Sequence, residues 1–308
     1  MSSVFVLGAT GSIGIDVSLS FLNHGFKVYG LARNQEKADY LISKEIIPVI
    51  GSASDVDVWG PIVEKVDVVI EAIADFSNPQ TAQTIFNKLK EITAKRPSLL
   101  PIYTSGTLVY GATDAGEFID ENTTYKPTLD VLLERIKLEE KYRAIGGVVI
   151  QPSFVYGRAG SGSGLYFRLA TKPKDGVVSV FGTSDQYRSF VHSYDLAQLY
   201  LLAALKSSIS RGQTYIASVN YFKTEEVIRA MARAANVEVK SVVFTEPPKE
   251  DFLANLLAVS SVTVGKKAML TLGWNPQQPS IIDDTQRYYN AWNLSKPVHF
   301  LDAESSTK

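Results

Sequence analysis

Val4-Phe5-Val6-Leu7-Gly8-Ala9-Thr10-Gly11-Ser12-Ile13-Gly14 is the stretch that decides the fold. Val4 to Leu7 is a short apolar run rich in β-branched and aromatic residues, which reads as a buried strand. From Ile13 to Leu22 the apolar positions take helical spacing instead. Between the two lie three glycines. Gly8 permits the tight turn out of the strand. Gly11 lets the backbone come close to a ligand, and Gly14 lets the helix pack tightly on the sheet. A helix starting there offers unpaired N–H groups and a partial positive charge, which suit a diphosphate. Three glycines alone carry little weight. Here they sit between a strand and a helix, and a second strand follows at Lys27 to Ala32, which is the arrangement of a dinucleotide-binding unit.

The same alternation continues outward from that unit. Gln35 to Ser43 reads as a helix. Ile46 to Ile50, Val66 to Ile73 and Leu100 to Thr104 read as strands with helical stretches between them, and Pro127 to Ile145 as a long helix before a strand at Val148 to Ile150. Alternating units of this length predict an α/β fold, a doubly wound parallel sheet with helices on both faces. After Gln151 the pattern loosens. Leu196 to Leu205 and Thr224 to Ala235 look helical and Thr214 to Ala217 extended. We expect residues 1–155 to form the dinucleotide-binding domain, with later segments returning to it, and residues 156–308 to form mainly a smaller C-terminal substrate-binding lobe. The glycine- and serine-rich stretch from Gly157 to Gly164 reads as a lid or a plain linker.

Composition excludes several classes. The chain has 308 residues, 45% of them hydrophobic, and a formal net charge of -1. That supports a large core and gives no reason to expect nucleic acid as a partner. There are no cysteines, and the three histidines are scattered, so neither disulfides nor a thiolate or histidine-rich metal site is expected. No segment is long and apolar enough to suggest a membrane span, and the N-terminus runs straight into the first strand. We expect a cytoplasmic protein acting on a small molecule.

The end of the second strand, Leu31-Ala32-Arg33-Asn34, has no acidic residue to bond ribose hydroxyls. Arg33 can instead pair with a 2′-phosphate through its planar fork, and Lys37 lies one helical turn further on. This favours NADP over NAD. Thr10, Ser12, Ile13 and Asn34, on the same loop and strand end, are further expected cofactor contacts.

Four further segments carry a resemblance. These are Thr104-Ser105-Gly106-Thr107-Leu108-Val109-Tyr110-Gly111, Pro152-Ser153-Phe154-Val155-Tyr156-Gly157, Gln186-Tyr187-Arg188-Ser189-Phe190-Val191-His192, and Leu272-Gly273-Trp274-Asn275-Pro276. With the glycine loop they resemble the extended and atypical short-chain dehydrogenase/reductases, a group that includes nucleotide-sugar epimerases and dehydratases. The resemblance implies a Ser or Thr, a Tyr, and a Lys four residues after the Tyr, with the Lys on the nicotinamide ribose. Lys137 aligns with that lysine and would serve both catalysis and cofactor, and the resemblance also implies cofactor contacts at Ser52, Ala72 and Pro152. The tyrosine position then falls on Leu133, which has no proton to give, and the serine position on Gly106. Ser105 and Thr107 flank it and could still polarise a carbonyl. Tyr40-Leu41-Ile42-Ser43-Lys44 matches the Tyr and Lys spacing only by chance, beside the adenosine half of the site. Tyr156 is a candidate proton donor. Tyr110, Tyr166, Tyr187 and Arg188 are candidate substrate contacts, with Arg188 resembling an arginine that grips a nucleotide-sugar phosphate.

Three functions are compatible with these residues: an atypical NADP-dependent oxidoreductase acting on a carbonyl compound, a nucleotide-sugar epimerase or dehydratase relative, and a non-catalytic NADP sensor. A homodimer through the long Pro127 to Ile145 helix is the assembly that the resemblance implies.

Overall fold

The computed structural model describes residues 2–73, 78, 80–114, 116–158 and 162–295. Six strands form most of a parallel sheet: β1 (Ser3–Leu7), β2 (Lys27–Ala32), β3 (Ile47–Ile50), β4 (Val68–Glu71), β5 (Leu100–Thr104) and β6 (Val148–Pro152). The smaller lobe begins with β7 (Phe154–Tyr156), β8 (Val177–Phe181) and β9 (Tyr187–His192). The chain then returns as β10 (Thr214–Ala217) to add a seventh strand beside β6. Last come β11 (Asn220–Lys223), which joins β9 and β7 in a three-stranded sheet, and β12 (Ser241–Thr245), which pairs with β8.

The large sheet runs in the order β10-β6-β5-β4-β1-β2-β3. The chain winds outward from β1 in both directions, so the order reverses between β1 and β4. Ligands bind outside the carboxyl ends of the strands at such a reversal. This is the doubly wound α/β fold that the alternation predicts.

Helices cover both faces because each strand is apolar on both sides. α1 (Ser12–Asn23) and α2 (Gln35–Ile42) lie on one face, burying Val17, Phe21, Ala38 and Leu41 against Val4, Val6 and Val28. α3 (Val56–Val63), α4 (Gln80–Lys95) and α5 (Val131–Ala144) lie on the other, with Trp59, Phe86, Leu89 and Tyr142 against Phe5, Val69 and Tyr103. Each fully buried aromatic or leucine of this kind contributes about 1.5–3 kcal/mol. α5 is shorter than its apolar spacing suggests. The chain after Pro127 makes turns first, with Leu132 N–H bonded to Leu129 O and Leu133 N–H to Asp130 O, and the helix proper starts at Val131.

α6 (Ser163–Thr171) belongs to the lobe. α7 (Ser193–Leu205) returns to the face of α1, and α8 (Ser207–Ser210) turns the chain into β10. α9 (Thr224–Ala234) packs on α6 and α12 (Thr285–Ser295) on α9 around a separate core of Tyr156, Tyr166, Phe167, Phe190, Ile228 and Tyr288. α10 (Phe252–Ala258) and α11 (Lys266–Leu272) lie between β12 and α12 in the chain. After α11, Gly273 takes the left-handed conformation at φ 66° that ends helices. Trp274 Nε1 then donates to Asp195 O at 2.7 Å, and the Asp195 carboxylate accepts from Gln277 and Gln278 N–H. The Leu-Gly-Trp-Asn-Pro segment is thus a clamp onto α7. Most of the Gly157 to Gly164 stretch lies outside the described residues or within α6. Among the described residues, no helix is long and apolar enough to cross a membrane, and no group of three His, Asp or Glu is arranged to hold a metal.

Candidate functional site

The glycine turn leaves β1 at the strand reversal. Gly8 has φ +88°, and a Cβ there would lie 2.5 Å from Ala72 O, so only glycine fits. A Cβ on Gly14 would overlap the Gly8 carbonyl, which shows how tightly α1 seats on the turn. Gly11 caps the helix without any side-chain bond, and the first turn contains no acid. The first intrahelical bond runs from Ile15 N–H to Gly11 O. The amides of Ser12, Ile13 and Gly14 therefore have no acceptor within the helix. Gly11 and Ser12 are exposed, and Thr10 and Ile13 are half-buried, so this cradle opens outward. Its chemistry fits the diphosphate of a dinucleotide.

At the far end of the cradle, Arg33 is exposed just past β2. Asn34 is the N-cap of α2, its side-chain oxygen accepting from Lys37 N–H at 2.9 Å, so it shapes the turn that carries Arg33. After β3, Ser52 N–H donates to Asp55 Oδ2 at 2.8 Å. Its bonds from Ser52 hold the Asp55 carboxyl below the usual range. Tyr40 lies on α2 and Lys44 in the turn after it, with the ammonium 5.8 Å from the ring centre, on the β2–β3 side of the sheet away from β5 and β6.

On the other side of the reversal is a cavity of about 570 Å³. Gly106, Thr107 and Leu108 line it from the turn after β5, and Pro152, Ser153 and Phe154 from the end of β6 and start of β7. Leu165 of α6 and Phe252, Leu253, Leu256 and Leu257 of α10 supply an apolar wall. Arg188, Ser189 and Ser261 add polar groups, and Glu250 and Asp251 lie at the exposed end of α10. Two sequence candidates, Thr107 and Arg188, meet here together with Pro152. Ser105 is adjacent and buried, and its hydroxyl has no hydrogen-bond partner.

The other candidates are placed elsewhere. Lys137 is exposed on α5, its ammonium bonded to Glu134 at 2.6 Å, and it does not line the cavity. Leu133 is on the same exposed face. Tyr156 is buried in the lobe core, and its hydroxyl donates to Pro279 O at 2.9 Å. Burial keeps that phenol protonated. Tyr166 is buried with its ring 5.1 Å from that of Phe154. Tyr110 donates to Gln151 Oε1 at 2.9 Å, and Gln151 Nε2 donates to the buried Glu139 at 3.0 Å. Tyr187 is half-buried on β9, stacked edge-on to Tyr221. None of these four tyrosines lines the cavity.

Sequence reasoning missed Arg135 and Glu71. Because Glu139 faces inward, the residue one turn before it does too. Arg135 Nη1 donates to Thr104 O at 3.2 Å, at the carboxyl end of β5. Beneath it Glu71 is fully buried at the end of β4, where burial pushes its carboxyl up to about 8 against the pull of Arg135. The sequence carried no signal for either, because charges lie on every side of α5. Sequence reasoning also missed the apolar face of α10 and Ser261.

The order of the strands, the uncapped helix at the reversal and the cavity at the same edge of the sheet define a Rossmann-like α/β protein with a ligand-sized cavity. Residues 4–218 match the NAD dependent epimerase/dehydratase family, and the chain belongs to it. It is 25% identical over 289 residues to an uncharacterized protein of Schizosaccharomyces pombe, covering 91% of this chain and 97% of that one. Among solved structures it resembles dTDP-glucose 4,6-dehydratase from Bacillus anthracis in complex with NAD. There the TM-score is 0.81 at 15% identity, over 96% of this chain and 98% of that one. It also resembles Thermus thermophilus UDP-glucose 4-epimerase in complex with NAD, with a TM-score of 0.77 at 18% identity, over 94% and 99%.

Proposed function

We propose that this chain is an NADP-dependent oxidoreductase that exchanges hydride at a C–O carbon of a small molecule seated in the cavity. The observation that carries the reading is that the uncapped α1 turn and a cavity floored by Gly106, Thr107, Pro152 and Ser153 open at the same carboxyl edge of the parallel sheet. Ser12, Ile13 and Gly14 amides would hold the diphosphate. Arg33 would pair with a 2′-phosphate, which supports NADP as the preferred form, although the dehydratase and epimerase above are described with NAD. When bound, the nicotinamide supplies or takes the hydride. Thr107 Oγ1 hydrogen-bonds the substrate oxygen, the leucine and phenylalanine walls exclude water from the carbon, and the oxygen exchanges its proton with solvent.

Family membership favours a second reading, a nucleotide-sugar epimerase or dehydratase relative, in which Arg188 on the cavity wall would contact a phosphate. Both readings share the first hydride exchange and differ in substrate. The test is NADPH consumption against a panel of carbonyl compounds, run beside binding of UDP-glucose and dTDP-glucose. Turnover of simple carbonyls without sugar-nucleotide binding supports the first. Tight sugar-nucleotide binding that is lost in Arg188→Ala supports the second.

A further inference from the structure

Glu71 is a buried acid that the proposed chemistry does not use. It is 1% exposed and ends β4, the strand beside which the sheet reverses its order. Along the sheet it pairs with Leu7 on one side and Tyr103 on the other. Leu7 is the last residue before the glycine turn. Tyr103 is followed by Thr104, whose carbonyl accepts from Arg135 at 3.2 Å, and then by the Gly106 to Leu108 stretch that lines the cavity. The Glu71 carboxyl accepts from Ile73 N–H. This turn after β4 presses on the cradle, since the Ala72 carbonyl is what a Cβ on Gly8 would strike. The second carboxyl oxygen, Oε2, is buried and has no hydrogen-bond partner. Glu71 thus stands between the coenzyme cradle and the cavity floor with half of its carboxyl unanswered. Among the described residues, the titratable groups acting on it or feeling its charge are Arg135 and Tyr142 of α5, Tyr103 of β5 and Tyr200 of α7. Burial pushes all three phenols up, so they keep their protons while Glu71 can lose its own.

We infer that Glu71 is a positioning residue that couples a proton to the coenzyme: the neutral carboxyl is the form that lets the cradle hold a dinucleotide, and its ionisation drives the coenzyme off. This rests on the reading of the cradle as a coenzyme site. Glu71 does not line the cavity, so it gives no proton to a substrate. Its effect is through charge and through its neighbours. Ionisation puts a buried negative charge beside the strand end that carries the glycine turn, where a diphosphate is to sit, and like charges repel strongly where water screens them little. It also makes Oε2 an acceptor for Arg135, which draws that guanidinium away from Thr104 O and unbraces the cavity floor. Burial outweighs the pull of Arg135 and holds the acid neutral up to about 8, so the change falls just above neutral pH. By linkage the coenzyme in turn tightens the hold of Glu71 on its proton, and binding in this window transfers a proton from solvent to the carboxyl.

The test is calorimetric titration of the full chain with NADPH between pH 7 and pH 9, in buffers of different ionisation enthalpy so that proton uptake is counted. Affinity should fall about fivefold across that range, and binding at pH 8.5 should take up about half a proton. The coenzyme's 2′-phosphate loses its proton at about 6 and does not contribute. Glu71→Gln keeps the shape of the neutral acid. It should bind NADPH with one affinity across the range and take up no proton. A readout without coenzyme checks the buried acid itself. The folded chain binds the Glu71 proton more tightly than the unfolded one, so stability falls as pH rises from the ordinary glutamate range to about 8, and Glu71→Gln should lessen that fall. A wild-type affinity that does not change with pH, binding without proton uptake, or the same pH step in Glu71→Gln would overturn the coupling while leaving the coenzyme site intact. Absence of NADPH binding already at pH 7 would instead overturn the function proposed above, and the coupling with it.

Discussion

Gly14 shows how a single residue sets the cofactor cradle. A methyl group there meets the Gly8 carbonyl, which is backbone and cannot swing away. Gly14→Ala should cost about 1–3 kcal/mol of stability and displace the turn that carries the free amides. Denaturant unfolding and NADP titration would both show it. Arg33 is solvent-exposed, so its removal should leave folding intact. Arg33→Ala should weaken NADP about tenfold and NAD little, since only NADP has the 2′-phosphate. An equal loss for both coenzymes would assign Arg33 to the adenine instead. For Tyr156, burial and the bond to Pro279 O make it a packing residue. Tyr156→Phe should lower stability by about 1 kcal/mol and leave the pH profile of any turnover unmoved. A proton donor would change that profile.

At the scale of elements, the glycine loop and the strand alternation were legible because both are local. The three glycines occupy one turn, and each strand is a short apolar run between helices. The rotation of α5 was not legible. Its sequence, Val131 to Ala144, mixes Leu132, Ile136 and Leu138 with charges on every side, so its inner face depends on Glu139 finding Gln151 and Arg135 finding the end of β5. That rotation leaves Lys137 facing outward. α10 was equally hidden. Phe252 to Leu257 reads as any short apolar helix, and its meaning comes from Arg188, more than sixty residues earlier, bonding the carbonyls at its end. The start of α7 makes a prediction of its own. His192 caps it by accepting Tyr194 N–H on Nδ1 at 3.0 Å, which requires a neutral ring. Burial, with Arg287 and Arg158 nearby, lowers its pKa to about 4. The unfolded chain therefore binds that proton first, and stability falls as pH drops from about 6.5 to about 4. His192→Gln should flatten the dependence in that window, read from melting temperatures between pH 4 and 7.

Across the whole molecule, two cores built on the faces of the parallel sheet hold the coenzyme cradle, and a third core holds the lobe. The cavity lies where the ends of β5 and β6 meet α6 and α10, so its lining is shared between sheet and lobe. The ion pair between Arg158, after β7, and Asp16 of α1 at 2.5 Å ties the lobe directly to the cradle helix. The glycine turn was readable because the groups it offers, the amides at the start of α1, belong to the backbone of one local stretch. The cavity was not, because its polar lining comes from β9 and the segment after α10, far apart in the chain. The most direct test of the account is calorimetric titration of the purified full-length chain with NADP, NADPH, NAD and NADH. The account predicts saturable one-to-one binding, tighter for the phosphorylated pair. If none of the four binds, the cradle formed by Gly8 to Gly14 has some other purpose and the account is contradicted.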